Sequence, residues 1–150
     1  MTTSGEICSR SVIFVARDAT VGLAAQLMRR HHVGTVVVVD DTNGGRVPVG
    51  IVTDRDIVIE VNAAGLDQNV ITVGDIMAPE LVTVREGDDL LHTLGVMRYK
   101  GLRRLPVVDD SGTLVGIVSM DDVLEVFSEQ MAEMARALRC EREREIQNRA

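Results

Sequence analysis

The stretch Val49–Val58, VGIVTDRDIV, returns 66 residues later as VGIVSMDDVL, Val115–Leu124. The Val-Gly-Ile-Val run is identical in both. Thr53 becomes Ser119, and an aspartate stands three residues past each hydroxyl, Asp56 and Asp122. A short apolar run that ends in a hydroxyl and then an acid has been written twice. The chain therefore carries either two copies of a structural joint or two copies of a site.

The repeat extends in both directions. At an offset of 69, GEICSRSVIFV (Gly5–Val15) falls on GDIMAPELVTV (Gly74–Val84), and TVVVVDD (Thr35–Asp41) falls on RLPVVDD (Arg104–Asp110). The offset then drops to 66 because the first copy has TNGGRVP where the second has SGTL. A turn between strands is where such an insertion is tolerated best. VIFV and LVTV are predicted as short strands. Val21, Ala25 and Met28, and in the second copy Leu90, Leu94 and Met97, recur at helical spacing. VVVVD and LPVVD read as buried strands, and the Asn43-Gly44-Gly45 and Ser111-Gly112 turns lead into VGIVT and LVGIVS as hairpins. A helix is predicted after each, DRDIVIEVNAAG and MDDVLEVFSEQ onward. The fold class is therefore α+β: two β-α-β-β-α repeats at 5–68 and 69–128 with pseudo-two-fold symmetry, then a helical extension at 129–150. Neither copy has much core alone, so the two are expected to share one through their sheets.

The joint itself has two chemical readings. Thr or Ser at an N-cap with a carboxylate three residues on is close to a capping box, and Asp suits the positive end of a helix. The same atoms could hold a ligand. Backbone N–H groups at a helix start attract phosphate, the hydroxyl adds a hydrogen bond, and an aspartate can accept two bonds from a ribose diol. Between hydroxyl and acid the copies differ, Arg55 against Asp121. A cap is indifferent to that difference; a phosphate is not. Cations follow the first helix of each copy, in RRHH (Arg29–His32) and RYKGLRR (Arg98–Arg104). Arg29, Arg30 and Arg98 suit a helix C-terminus, whereas Arg103 and Arg104 run into an apolar strand.

Bulk properties narrow the function further. The 150 residues are 45% hydrophobic, which suits a folded globule. Phe14, Tyr99 and Phe127 are the only aromatics, too few for a base-stacking surface. A net charge of −7 argues against general affinity for nucleic acid or an anionic membrane. Cys8 and Cys140 have no CxxC or metal-ligand spacing, and His31, His32 and His92 form no HxxxH or HExxH motif, so no metal is expected. No GxSxG elbow or P-loop occurs. With no apolar leader in MTTSGEICSR and no window of 18 apolar residues, a soluble cytoplasmic protein is expected.

GIVTDRD, GIVSMDD, the LPVVD strand and VGDIMAPELVTV together resemble a tandem cystathionine-β-synthase (CBS) domain pair, or Bateman module, of the stand-alone bacterial type. The resemblance covers nearly all of residues 5–128. It implies two pseudo-symmetric clefts that take an adenosyl ligand: AMP, ADP, ATP, NAD(H) or S-adenosylmethionine. It assigns ribose and phosphate to Thr53 and Asp56 and to Ser119 and Asp122. Adenine contacts fall to main chain and apolar side chains at Ile13, Thr35 and Val36, and at Val82, Arg104 and Leu105. Phosphate contacts fall to Arg103 and Arg104. The first copy departs with Gly34 and Thr35 in their place, and Arg55 is expected to compensate there. The implied role is sensing, not catalysis. The alternatives are an interaction scaffold with vestigial clefts or an S-adenosylmethionine sensor; a nucleotide hydrolase is the rival that lacks any convergent acid, base or metal set.

From Asp121 to Asn148 there is no Gly or Pro, and Leu124, Phe127, Met131, Met134 and Leu138 step by 3, 4, 3 and 4. That is an a/d seam of two heptads. It either covers its own sheet or meets a partner helix; the latter is expected, giving a homodimer. An effector acting in trans would read the output.

Overall fold

The computed structural model describes residues 1–42 and 44–149. Asn43, placed above in the first hairpin turn, and Ala150, the end of the expected extension, lie outside the described residues. The chain opens with a one-turn helix α1 (Ser4–Ile7), capped reciprocally by Thr3 and Glu6. The first repeat then runs β1 (Phe14–Ala16), α2 (Val21–His31), β2 (Thr35–Thr42), β3 (Gly45–Thr53) and α3 (Asp54–Asp56). The second opens with α4 (Val73–Ile76) and runs β4 (Val84–Arg85), α5 (Leu90–Lys100), β5 (Arg104–Val108), β6 (Leu114–Ser119) and α6 (Met120–Arg149). Each repeat holds a three-stranded sheet in sequence order, its first pair parallel and its second antiparallel.

The correspondence is fine-grained. Thr35 pairs with Thr53 and Arg104 with Ser119. A bulge falls between Val38 and Val39 and again between Val107 and Val108. Thr20 and Asp89 cap α2 and α5 by accepting from Leu23 N–H at 3.2 Å and His92 N–H at 2.7 Å. Both helices end on a left-handed residue, His32 (φ 54°) and Gly101 (φ 67°).

Three expectations need correction. The first strand of each copy lies later than VIFV and LVTV. Ile13 is tied to the sheet only through its carbonyl, which accepts from Val37 N–H at 2.9 Å; these strands have a neighbour on one side only, so pairing is brief. The segment DRDIVIEVNAAG is not one α-helix. After a single α-turn the backbone widens over Ile57–Asn62, with Ala63 N–H reaching the Val58 carbonyl at 2.8 Å. Ile57, Val58, Ile59 and Val61 are β-branched and crowd a tight helix, and such wide turns are uncommon inserts.

The core is divided, contrary to expectation. There are two hydrophobic clusters, not one shared between the sheets. Val36, Val38 and Val52 sit in the first; Leu105, Val107 and Val118 sit in the second. The repeats are joined by exchanged arms. Ile7 and Cys8 pack into the second cluster, and Val73, Ile76 and Met77 into the first. Ser4 and Gly5 N–H donate to the Asp88 and Glu86 carbonyls at 2.8 and 2.9 Å, and Val73 and Gly74 N–H donate to the Ala19 and Arg17 carbonyls at 2.8 and 3.0 Å. Each arm passes over a glycine of the opposite sheet. A Cβ at Gly116 would lie 2.6 Å from the Ser9 carbonyl oxygen, and one at Gly50 would collide with the Met77 side chain. Burial of the arm also raises the Cys8 thiol pKa above its usual range.

Of the seam on α6, only Phe127 packs on its own repeat. Val123 is buried and Val126 and Phe127 pack on the second core, but Leu124, Met131, Met134 and Leu138 are exposed. No helix among the described residues is long and apolar enough to cross a membrane.

Candidate ligand clefts

Both repeated joints are capping boxes. Thr53 N–H donates to Asp56 Oδ2 at 2.9 Å and Asp56 N–H donates to Thr53 Oγ1 at 3.1 Å. Ser119 N–H donates to Asp122 Oδ2 at 2.8 Å and Asp122 N–H to Ser119 Oγ at 3.2 Å. Capping does not exhaust these groups. Oδ1 of each aspartate keeps its lone pairs, and each hydroxyl, used as an acceptor, keeps its proton to donate. Each helix start is also tied across the sheet. Asp54 N–H donates to the Gly34 carbonyl at 2.9 Å and Met120 N–H to the Arg103 carbonyl at 2.7 Å. Each joint is thereby held beside the residue that leads into the central strand.

Each joint opens onto a cleft whose far wall belongs to the other repeat. One cleft, a cavity of about 580 Å³, has Ile51, Thr53, Arg55 and Asp56 on one side and Ala78, Leu81, Val82, Leu102 and Arg103 on the other. The second, about 290 Å³, sets Ile117, Ser119 and Asp122 against Ser9, Val12, Ile13, Val33 and Gly34. The linings correspond under the repeat offsets: Ile51 with Ile117, Thr53 with Ser119, Val82 with Ile13, Arg103 with Gly34. Thr35 and Arg104 line both. The larger cavity is within the usual range for small-molecule sites and the smaller just under it.

The crosswise walls overturn the expected compensation. Arg55 does not offset the missing arginines of the first copy, because it shares the larger cleft with Arg103 and Arg104. None of the three makes an ion pair among the described residues. Glu80, also on this cleft, is engaged by Lys100 at 3.1 Å. The smaller cleft has Gly34, His32 and the shared Arg104. The asymmetry between copies is thus gathered at one site.

Thr35 is 8% exposed, and its Oγ1 is the only buried side-chain polar atom without a hydrogen-bond partner among the described residues. A buried hydroxyl without a partner is costly. It lies where both cavities meet. Val36 and Leu105, by contrast, line neither cavity; both side chains are fully buried in their own cores, leaving only main-chain atoms for any ligand. Sequence reasoning missed Ser9, Val12 and His32 in the smaller cleft and their counterparts Ala78, Leu81 and Gly101 in the larger. The 69-residue offset maps each of the first three onto one of the second, and that matching was the signal available. No group of three or more His, Cys, Asp or Glu side chains is placed to hold a metal among the described residues.

The family profile of the CBS domain matches residues 5–63 and again 73–129. An uncharacterized protein of Methanopyrus kandleri is 40% identical over 122 residues, covering 81% of this chain and 61% of its own length. Hypoxic response protein 1 of Mycobacterium tuberculosis is 37% identical over 123 residues, covering 82% of this chain and 83% of that protein. A crystal structure of Hypoxic Response Protein I with two coordinated zinc ions superposes with a TM-score of 0.73 at 36% identity, over 83% of this chain and 98% of that one. The cytosolic domain of the Mg2+ channel MgtE in complex with ATP superposes with a TM-score of 0.70 at 30% identity, over 83% of this chain and 48% of that one.

Proposed function

We propose, from the premise that this chain belongs to the CBS-domain family as a tandem pair, that it is a regulatory module sensing an adenosyl ligand in the clefts between its repeats. The observation carrying this reading is the unpartnered Thr35 hydroxyl, buried where both cavities meet and beside the Thr53–Asp56 joint. A ligand hydroxyl or ring nitrogen satisfies it. Asp56 Oδ1 and Asp122 Oδ1 accept from ribose hydroxyls. Ile13 and Val82 flank the base, as do the main chains of Val36 and Leu105. Arg55, Arg103 and Arg104 favour phosphate in the larger cleft, which ranks ADP and ATP above AMP there and keeps NAD(H) a candidate. The complex of MgtE's cytosolic domain with ATP supports the ligand class.

A ligand seated between the repeats signals by its differential affinity for two arrangements of them. The exchanged arms make that arrangement part of each core, so a change in one cleft is transmitted to the other sheet. The chain acts as a homodimer, with an effector in trans reading the change, and it is a binding protein and not an enzyme. Thermal unfolding with AMP, ADP, ATP, NAD, NADH and S-adenosylmethionine tests the reading. An adenine nucleotide should raise Tm most. Stabilisation by S-adenosylmethionine alone would move the ligand class, and no shift with any compound would leave the interaction scaffold in its place.

A further inference from the structure

The longest helix among the described residues presents an apolar seam that, apart from Phe127, lies open. Leu124, Met131, Met134 and Leu138 are 64, 66, 60 and 67% exposed, at heptad a and d spacing, on a helix of 30 residues, about 45 Å long. Such a stripe on a folded chain marks an interaction face. The charges of α6 decide what fits it. Residues 120–134 carry Asp121, Asp122, Glu125, Glu129 and Glu133 and no cation, whereas residues 135–149 carry five arginines against three glutamates. A parallel copy would set acid beside acid and arginine beside arginine. An antiparallel copy sets each acidic half beside a basic half, and charge arrangement beside the seam selects orientation.

We propose that α6 pairs antiparallel with α6 of a second copy, about a two-fold axis passing near Glu129. This deepens the homodimer part of the reading above by naming its surface and orientation. The seam itself gives the register. With the axis there, Leu124 meets Met134 of the second copy, Met131 meets the outer edge of Phe127, whose inner face packs on the second core, and Leu138 meets Met120, one heptad before Phe127, so every a residue faces a d residue. The contact is then isologous, each pair occurring twice. Asp121 and Arg139, five turns apart on the same flank of the seam, approach each other across the pair.

Cysteine cross-linking of the full chain tests the register, in a Cys140→Ser background so that the exposed Cys140 does not contribute. Leu124→Cys with Met134→Cys should give an oxidised dimer, and neither single variant should, because a disulfide needs Cα atoms within about 7 Å. Light scattering should report a dimer for the parent chain and a monomer for Met131→Glu. That side chain is exposed in the chain itself, so circular dichroism and Tm should show the variant folded. Asp121→Arg and Arg139→Asp should each raise the dimer dissociation constant severalfold, and together restore it. A monomeric parent, cross-linking by Leu124→Cys alone, or an undiminished dimer in Met131→Glu would overturn the proposal. Nucleotide-dependent stabilisation of Met131→Glu separates the two ideas: a monomer that still responds to nucleotide leaves the ligand reading standing whatever the helices do.

Discussion

Thr35 and Arg104 occupy the same position in the two repeats, and each lines both clefts. Each pairs across its sheet with the hydroxyl residue of its own joint, Thr35 with Thr53 and Arg104 with Ser119. Among the described residues, one is a buried hydroxyl without a partner and the other an exposed guanidinium without an ion pair. At a position shared by both clefts, the two copies thus differ in chemistry.

Thr35→Val tests whether that hydroxyl is kept for a ligand. Valine fills the same space with no polar atom to bury. Relieving an unsatisfied buried group of this kind is worth about 1–3 kcal/mol. The variant should be more stable than the parent without ligand by urea unfolding, and should bind ATP more weakly by calorimetry. A less stable variant with unchanged affinity would show the hydroxyl is satisfied by water alone.

Asp56→Asn and Asp122→Asn separate cap from ribose. Each weakens one capping box, at a cost of about 0.5–2 kcal/mol. Each should also weaken adenosine binding at its own cleft. Unchanged adenosine affinity in both variants would return the joints to a purely structural role.

The three arginines should behave as one phosphate site. Arg55→Ala and Arg103→Ala should each reduce the preference for ATP over adenosine in the larger cleft, by about 1.5–3 kcal/mol for each charged hydrogen bond lost, and leave the smaller cleft unaffected. Arg104→Ala should alter both clefts. Calorimetric titration of ATP and adenosine into the three variants distinguishes these outcomes. Equal effects of Arg55→Ala at both clefts would contradict the crosswise walls.

Gly116→Ala and Gly50→Ala probe the exchanged arms. The new methyl at 116 meets the Ser9 main-chain oxygen, while the one at 50 meets the flexible Met77 thioether. Overpacking of this kind costs typically about 1–3 kcal/mol, and Gly116→Ala should be the more damaging because main chain has nowhere to go. Denaturant midpoints measure this, and iodoacetamide reports where it acts. In the parent at neutral pH, exposed Cys140 should react and Cys8, half-buried with its thiol pKa raised, should not. Gly116→Ala should expose Cys8 to labelling.

The low-lying carboxylates predict the acid limb. Hydrogen bonds from Arg17 hold Asp40 below the usual carboxylate range, and the backbone N–H of Thr72 does the same for Asp75. A depressed folded-state pKa stabilises the protein above the unfolded aspartate value, and the contribution is lost as pH falls through the folded one. Asp75→Asn should therefore flatten the dependence of Tm on pH on the acid side, below the ordinary aspartate pKa. An unchanged slope between pH 5 and 2 would show that the bond is not specific to the folded chain.

The sequence by itself determined what is local or repeated. Doubling of GIV[TS]xxD set two copies of one unit, and the order of strands and helices followed from spacing. Thr53 with Asp56 and Ser119 with Asp122 could be recognised as caps because a capping box closes over three residues, wherever the rest of the chain lies. The seam of α6 was equally legible, since helical spacing alone places Leu124, Met131 and Leu138 on one face. Only the tertiary structure decided which repeat's wall faces which joint. Arg55 and Arg103 stand 48 positions apart in the chain, and nothing in either segment says that they share a cleft; a same-copy and a crossed arrangement have identical local sequence. The crossing comes from the arms. Ile7 and Cys8 bury themselves in the second core and Val73 and Ile76 in the first, a choice made by the packing of whole sheets. For the same reason Val36 and Leu105, beside the right residues in sequence, point into cores. A strand turns alternate side chains to opposite faces, and only the packed sheet fixes which face meets the cleft.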